Sequence, residues 1–212
     1  MDTTLYFITD STGFCEDAFL YRIEEALKGG VSLLQLREKE KTTREYIALA
    51  EKVHILTKKY GVPLIIDDRI DVALSVGAEG VHLGQSDLPI AAARRIGGEK
   101  MIIGATAKTV PQAEEAYRQG ADYLGVGAIY PTTTKVKTVL TSTETLDKIC
   151  KAVPIPINAI GGLNKTNLEV LRGINIAGIC VVSAIMKAKA PRAETENLLS
   201  LAKELTGKCG QY

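Results

Sequence analysis

The 212-residue sequence has no excess of charge of either sign, because 26 Lys and Arg nearly cancel 25 Asp and Glu. That excludes a basic footprint of the kind that binds nucleic acid or anionic lipid, so any anionic ligand must be held by local charges. Histidine is scarce, at two residues, and the four cysteines, Cys15, Cys150, Cys180 and Cys209, fall without a CxxC or Cys/His spacing. The pattern speaks against zinc, and the thiols read as reduced and mostly buried. Cys209 stands in the polar segment TGKCGQY, a tail expected to fray from about residue 207 and given no role. No apolar run approaches the roughly 18 residues of a membrane span. The opening MDTTLYFITD lacks the basic region and cleavable apolar stretch of a secretory signal, so the cytosol is the expected location, with no membrane and no nucleic-acid partner.

What the sequence does have is alternation. Short Val/Ile/Leu-rich runs recur with longer segments of helical periodicity between them, the pattern of a parallel sheet with crossover helices. The strand candidates are LYFIT from Leu5, VSLLQLR from Val31, PLIID from Pro63, GVHLG from Gly80, MIIGAT from Met101, YLGVGA from Tyr123, IPINAIG from Ile155 and GICVVSA from Gly178. Between them DAFLYRIEEALKGG, TREYIALAEKVHILTKKYG, VPQAEEAYRQG and PRAETENLLSLAKELTG place apolar residues every three or four positions, as helices covering a sheet do. Gly29, Gly61, Gly120 and Gly207 are expected as left-handed C-caps. Eight strand-and-crossover units at roughly 25-residue spacing fit a closed (β/α)8 TIM barrel over residues 1–212 as a single domain. An open doubly wound sheet, which carries five or six strands, is the lesser alternative.

In such barrels chemistry collects at the carboxyl ends of the strands. Strand two ends in Gln35-Leu36-Arg37-Glu38-Lys39, and period-two alternation sends Gln35, Arg37 and Lys39 to one face, which favours anion binding over rim pairing with Glu38 or Glu40. Strands three and four end in Asp67-Asp68 and Gln85-Ser86-Asp87. Oxygen ligands of low number suit Mg2+, although Asp68 or Asp87 alone also reads as a helix cap. Strand six runs through Gly125-Val126-Gly127-Ala128 into a loop with Thr132, Thr133, Thr134 and Lys135, whose hydroxyls and ammonium suit a phosphate. Gly161-Gly162 after strand seven and Val182-Ser183 after strand eight stand where barrels bind phosphate through backbone N–H groups. Thr106 reads equally as a substrate contact or an ordinary strand-end residue. His54 reads as a surface residue of a helix and His82 as a satisfied core histidine, neither with the partners of a nucleophile relay.

Taken in order, QLREK, IIDD, HLGQSD, GVGAIYPTTTK, AIGG and VVSAI resemble the motifs of the thiamine-phosphate synthase family, over Tyr6 to about Lys203. The resemblance implies a (β/α)8 barrel that joins hydroxymethylpyrimidine diphosphate to a thiazole phosphate, releasing diphosphate and giving thiamine monophosphate. Gln35, Arg37, Lys39 and Lys135 would then hold the pyrimidine diphosphate, Asp68 and Asp87 would bind Mg2+, and Thr106 would lie near the pyrimidine. Thr132 and Thr134 would contact the thiazole phosphate side of the loop, while Gly162, Val182 and Ser183 offer N–H groups. The implied mechanism is dissociative, which accounts for the lack of an evident base: the site has to stabilise a leaving diphosphate.

Three positions depart from the family, which commonly has Asn at Asp67, Ser at Thr106 and Pro at Ala128. Asp67 matters most. Mg2+ with Arg37, Lys39 and Lys135 supplies about plus five against about minus five on diphosphate, Asp68 and Asp87, and an ionised Asp67 tips that balance. It could repel diphosphate, recruit another cation or turn outward, and weaker diphosphate affinity or a raised Mg2+ demand is expected. Two other readings compete. A thiazole tautomerase on the same barrel would use a histidine on the sixth-strand loop, where this chain has Gly127-Ala128-Ile129. A non-catalytic protein that binds a thiazole or thiamine phosphate would bind without turnover. No feature of the sequence sets an oligomeric state.

Overall fold

The computed structural model describes residues 1–132 and 139–207. Eight parallel strands close on themselves in sequence order. They are β1 (Leu5–Ile8), β2 (Leu33–Leu36), β3 (Leu64–Asp67), β4 (Gly80–Leu83), β5 (Ile102–Ala107), β6 (Tyr123–Gly127), β7 (Ile157–Ile160) and β8 (Gly178–Val181). Around them lie α1 (Glu16–Lys28), α2 (Thr43–Tyr60), α3 (Ile70–Val76), α4 (Ile90–Gly97), α5 (Val110–Arg118), α6 (Thr143–Ala152), the four-residue α7 (Ser183–Met186) and α8 (Pro191–Leu205). β8 pairs back onto β1 through Tyr6 and Cys180, so the sheet has no open edge, and the open-sheet alternative is set aside.

The strands read as unbroken apolar runs because both faces are covered. Outward residues such as Phe7, Leu34, Leu36, Ile66, Val81 and Leu124 join Phe19, Ile23, Leu49 and Val53 of the helices in one large cluster. Inward residues Tyr6, Ile8, Leu33, Ile65, Tyr123 and Cys180 make a second, smaller cluster inside the barrel. Period-two alternation has thus sorted each strand between two cores. Among the described residues no helix is long and apolar enough to cross a membrane.

Several local expectations change. The seventh crossover is not an α-helix: a 3-10 turn, Leu168–Leu171, stands there. Asn164 and Asn167 explain it, since Asn167 accepts from the Asn164 N–H and donates to the Gly162 carbonyl, while Asn164 accepts from Thr166. Such side-chain bonds compete with a helical start. Gly29 ends α1 with φ −77°, and the left-handed residue is its neighbour Gly30 at +95°. Gly61, Gly120 and Gly207 do take positive φ. His54 is buried rather than on the surface, with its ring nitrogens 3.1 Å from the Val76 carbonyl and 3.1 Å from the Glu79 carboxylate. The thiols are less buried than expected, for Cys15 is exposed, Cys150 half-buried and Cys180 alone of these three buried. Cys209 and the tail beyond residue 207 lie outside the described residues.

Candidate active site

A cavity of about 580 Å3 opens at the carboxyl ends of the strands, and residues from β1 to β8 or the loops that follow them line it. It brings together Gln35, Arg37, Lys39, Asp67, Asp68, Asp87, Thr106, Thr132, Gly162, Val182 and Ser183. Thr134 and Lys135, also expected here, lie outside the described residues.

The cationic side is built by β2 and its neighbours. Thr9 donates its N–H to the Gln35 carbonyl and accepts from the Arg37 N–H, carrying the chain straight beyond the strand end. Tyr46 of α2, 1% exposed, donates its hydroxyl to the Leu36 carbonyl at 2.6 Å and reaches the Asp67 carbonyl at 3.4 Å. One phenol therefore ties the ends of β2 and β3 together, just where Arg37 and Asp67 emerge. Glu38, on the opposite face from Arg37, accepts from Ser11 at 2.8 Å, while its Oε1 is buried without a partner. Burial pushes the Glu38 carboxyl up, and the Ser11 bond only partly offsets this.

The acidic side comes from β3 and β4. Asp67 faces inward and does not turn away: it is 8% exposed, 2.7 Å from Lys39 Nζ and 3.8 Å from Arg37 Nε. Lys39 also contacts Asp68. Asp67 has thus recruited a cation from its own chain. Burial and the adjacent Asp68 charge push the Asp67 carboxyl above its ordinary range, with Lys39 and Arg37 pulling back. For Lys39, burial lowers the ammonium but the two carboxylates outweigh it, and its pKa rises. At 2.7 Å the contact is an ion pair, and the upward drift of Asp67 reflects its burial beside a second acid.

Asp68 takes φ +60°, a left-handed conformation uncommon outside Gly, Asn and Asp, fixed by its N–H donating to the His82 carbonyl at 2.8 Å. Strained backbone of this kind gathers at functional sites. Asp87 accepts from the Gly84 N–H at 2.7 Å, and a Cβ on Gly84 would stand 2.8 Å from that same carboxylate oxygen. Neither acid is a helix cap, because the cap positions of α3 and α4 are Arg69 and Pro89, without side-chain cap bonds. Burial, then a hydrogen bond shared with Asp68 and the Asp68 charge, push the Asp87 carboxyl up against the pull of the Gly84 N–H. Two carboxylates this close want a cation between them. Among the described residues no cluster of three or more carboxylate, histidine or thiol donors is arranged to hold a metal. The donor chemistry is the two-carboxylate kind that Mg2+ completes with phosphate oxygens and water.

At the far rim, Gly161 and Gly162 take φ +104° and +65°. A Cβ on Gly161 would stand 2.4 Å from Ala128 Cβ, and one on Gly162 2.8 Å from the Pro131 carbonyl, so both glycines also serve the close approach of the β6 loop. Val182 is the cap of α7, whose first N–H groups have no partner within the helix.

Tyr6, Tyr123 and Lys108 were not singled out by sequence, and His82 was read only as a satisfied core histidine. His82 lines the cavity, 2.9 Å from the Thr106 hydroxyl and 3.2 Å from that of Tyr123. Lys108 lines it too, with its ammonium 3.4 Å from the Val139 carbonyl. The available signal was parity: His82 pairs with Asp67 and with Gly104 across the sheet, on the inward register.

The family model described as thiamine monophosphate synthase matches residues 5–185. A thiamine-phosphate synthase of Methanobrevibacter smithii is 49% identical over 94% of this chain and 95% of that relative. One of Enterococcus faecalis is 47% identical over 95% of each. The solved structure of a thiamine phosphate pyrophosphorylase from Pyrococcus furiosus superposes with a TM-score of 0.87 at 39% identity, covering 96% of both chains.

Proposed function

This chain belongs to the thiamine monophosphate synthase family, and on that premise we propose how its cavity joins hydroxymethylpyrimidine diphosphate to a thiazole phosphate. The observation that carries the reading is the meeting of Arg37 and Lys39 with Asp67, Asp68 and Asp87 at one rim of the cavity, with small residues and N–H groups at the other. One rim suits a diphosphate with its metal, the other a second phosphate.

Arg37 and Lys39 hold the diphosphate, with Lys39 exchanging its Asp68 contact for a phosphate oxygen as the substrate enters. Asp68 and Asp87 are the residues that would hold Mg2+, which when bound neutralises charge on the diphosphate and eases its departure. Gln35 and Thr106 orient the pyrimidine. The Gly162, Val182 and Ser183 N–H groups take the thiazole phosphate, with Thr132 at its edge. Thr134 and Lys135 keep the roles that the family resemblance gives them. The bond between the pyrimidine methylene carbon and diphosphate oxygen breaks with its electron pair leaving on oxygen, and the thiazole nitrogen lone pair then forms the new bond to the methylene carbon. No general base is needed, because the nitrogen that attacks carries no proton. The site contributes charge arranged in advance around the leaving group.

The test incubates purified protein with the pyrimidine diphosphate and the thiazole phosphate, with and without Mg2+, and follows thiamine monophosphate and diphosphate. Metal-dependent formation of both in equal amounts is expected. Binding of both substrates without product refutes the reading in favour of a protein that only binds.

A further inference from the structure

Beneath the cavity a continuous polar thread crosses the barrel interior, and the steps derived above leave its buried part without a task. Gln35 Nε2 donates to the Tyr6 hydroxyl at 2.6 Å. The Tyr6 and Tyr123 hydroxyls are 2.7 Å apart. Tyr123 oxygen lies 3.2 Å from His82 Nδ1, and His82 Nε2 lies 2.9 Å from Thr106 Oγ1. The five side chains come from five strands, and both tyrosines are fully buried. Glycine makes the room for Tyr123: a Cβ on Gly104 would fall 2.1 Å from Tyr123 Cζ. A buried polar thread kept at this cost in packing calls for a use.

Its hydrogens can be placed from one end. An amide nitrogen donates and cannot accept, so the Tyr6 oxygen is an acceptor toward Gln35 and its own hydrogen goes to Tyr123. Tyr123 then directs its hydrogen to His82 Nδ1, which must be bare. His82 therefore carries its hydrogen on Nε2 and donates to Thr106 Oγ1, leaving the Thr106 hydrogen directed into the cavity. The reverse order would give the Tyr6 oxygen two incoming hydrogens and its own hydrogen no acceptor, a buried unmet donor of the kind folded proteins avoid.

We propose that Tyr6, Tyr123 and His82 are positioning residues that hold the Thr106 hydroxyl as a hydrogen-bond donor, so that the cavity selects a heteroaromatic ring presenting an acceptor nitrogen at that point. The choice of ring rests on the synthase reading: an aminopyrimidine offers ring nitrogens that accept and an exocyclic amine that donates. Thr106 thereby discriminates between two edges of one ring and sets which way its reactive methylene faces.

Two measurements test this without turnover. In protein labelled with 15N-histidine, only two histidines contribute, and His82→Gln assigns the His82 signals by their loss. Wild type is expected to show His82 with the hydrogen on Nε2, and Tyr123→Phe, which keeps the ring packing, to show a mixture of the two tautomers. Calorimetry then compares the aminopyrimidine alcohol with analogues in which each ring nitrogen in turn is replaced by C–H. Wild type and Thr106→Ser should prefer one nitrogen over its C–H counterpart by about tenfold, and Thr106→Val should lose that preference. A wild-type His82 with its hydrogen on Nδ1, no wild-type preference, or a preference unchanged in Thr106→Val overturns the proposal. If the synthase assay yields no product while these results hold, the function reading fails alone; normal turnover with the hydrogen on Nδ1 removes this proposal alone.

Discussion

Replacing Asp67 by Asn removes one negative charge from the diphosphate rim without changing the shape of the side chain. In the structure Asp67 holds Lys39 at 2.7 Å and draws Arg37 to 3.8 Å, so both cations proposed to hold diphosphate are partly engaged by a residue where the family resemblance implies Asn. The size of the effect follows from Coulomb's law. A unit charge about 6 Å from a phosphate charge is worth roughly 0.7 kcal/mol in bulk water and roughly 2.8 kcal/mol at an effective dielectric constant of about 20. Asp67 is buried but the Lys39 ammonium reaches solvent, which places the site between these limits, near 1.4 kcal/mol or about tenfold in affinity. Asp67→Asn is therefore expected to lower the KM for the pyrimidine diphosphate by about tenfold and to halve or better the Mg2+ concentration needed for half-maximal rate. The KM for the thiazole phosphate, proposed to bind at the opposite rim, should stay within about twofold. Initial rates measured over a grid of diphosphate substrate and Mg2+, at fixed ionic strength, read all three. If neither the pyrimidine KM nor the metal demand moves, the charge argument is wrong and Asp67 is as well tolerated as Asn.

Three further outcomes follow from packing, reactivity and pH. Gly104→Ala drives a methyl into the Tyr123 ring at 2.1 Å, and should cost about 1–3 kcal/mol in urea unfolding together with most of the activity; a neutral result would show that the interior has slack. Cys150, whose thiol is pushed up to about 11 by burial and then by Asp147, should be alkylated at least about tenfold more slowly at pH 8 than the exposed Cys15 in peptide mapping. Equal rates would contradict the burial. Glu38→Gln relieves a carboxylate whose folded pKa is raised above its ordinary 4.5. Because the folded state then binds the proton more tightly than the unfolded chain, wild-type stability falls as pH rises from the ordinary value through the raised one. The variant should be more stable than wild type at pH 7 and equal to it once the pH falls below the ordinary carboxylate range, and a gain that persists in acid would exclude this cause.

How far the sequence was readable follows from which signals are local. Strands buried on both faces are continuous apolar runs, so all eight stand out, and their even spacing against intervening amphipathic stretches points to closure of the barrel. Arg37, Asp68 and Asp87 stand out because charge at the end of an apolar strand has no packing explanation. What could not be read depends on contacts distant in sequence. His54 looks like one polar residue among others on an amphipathic helix, and only the approach of Val76 and Glu79 makes its burial tolerable. Asp67 showed its charge but not its direction, since the Lys39 that pairs with it is 28 residues earlier, in the loop after β2. The seventh crossover has apolar residues at nearly helical spacing, yet its two asparagines satisfy backbone groups locally and hold the segment to a 3-10 turn. The thread through Tyr6, Tyr123 and His82 was hidden most completely, because each member taken alone is an ordinary apolar-strand residue. It becomes visible only once barrel closure fixes which parity points inward, and Gly104, opposite both His82 and Tyr123, then stops looking like flexibility and becomes space reserved for the Tyr123 phenol. Polar residues at inward positions facing glycine on the next strand are thus a sequence signal for buried networks in closed barrels, provided the register is argued first.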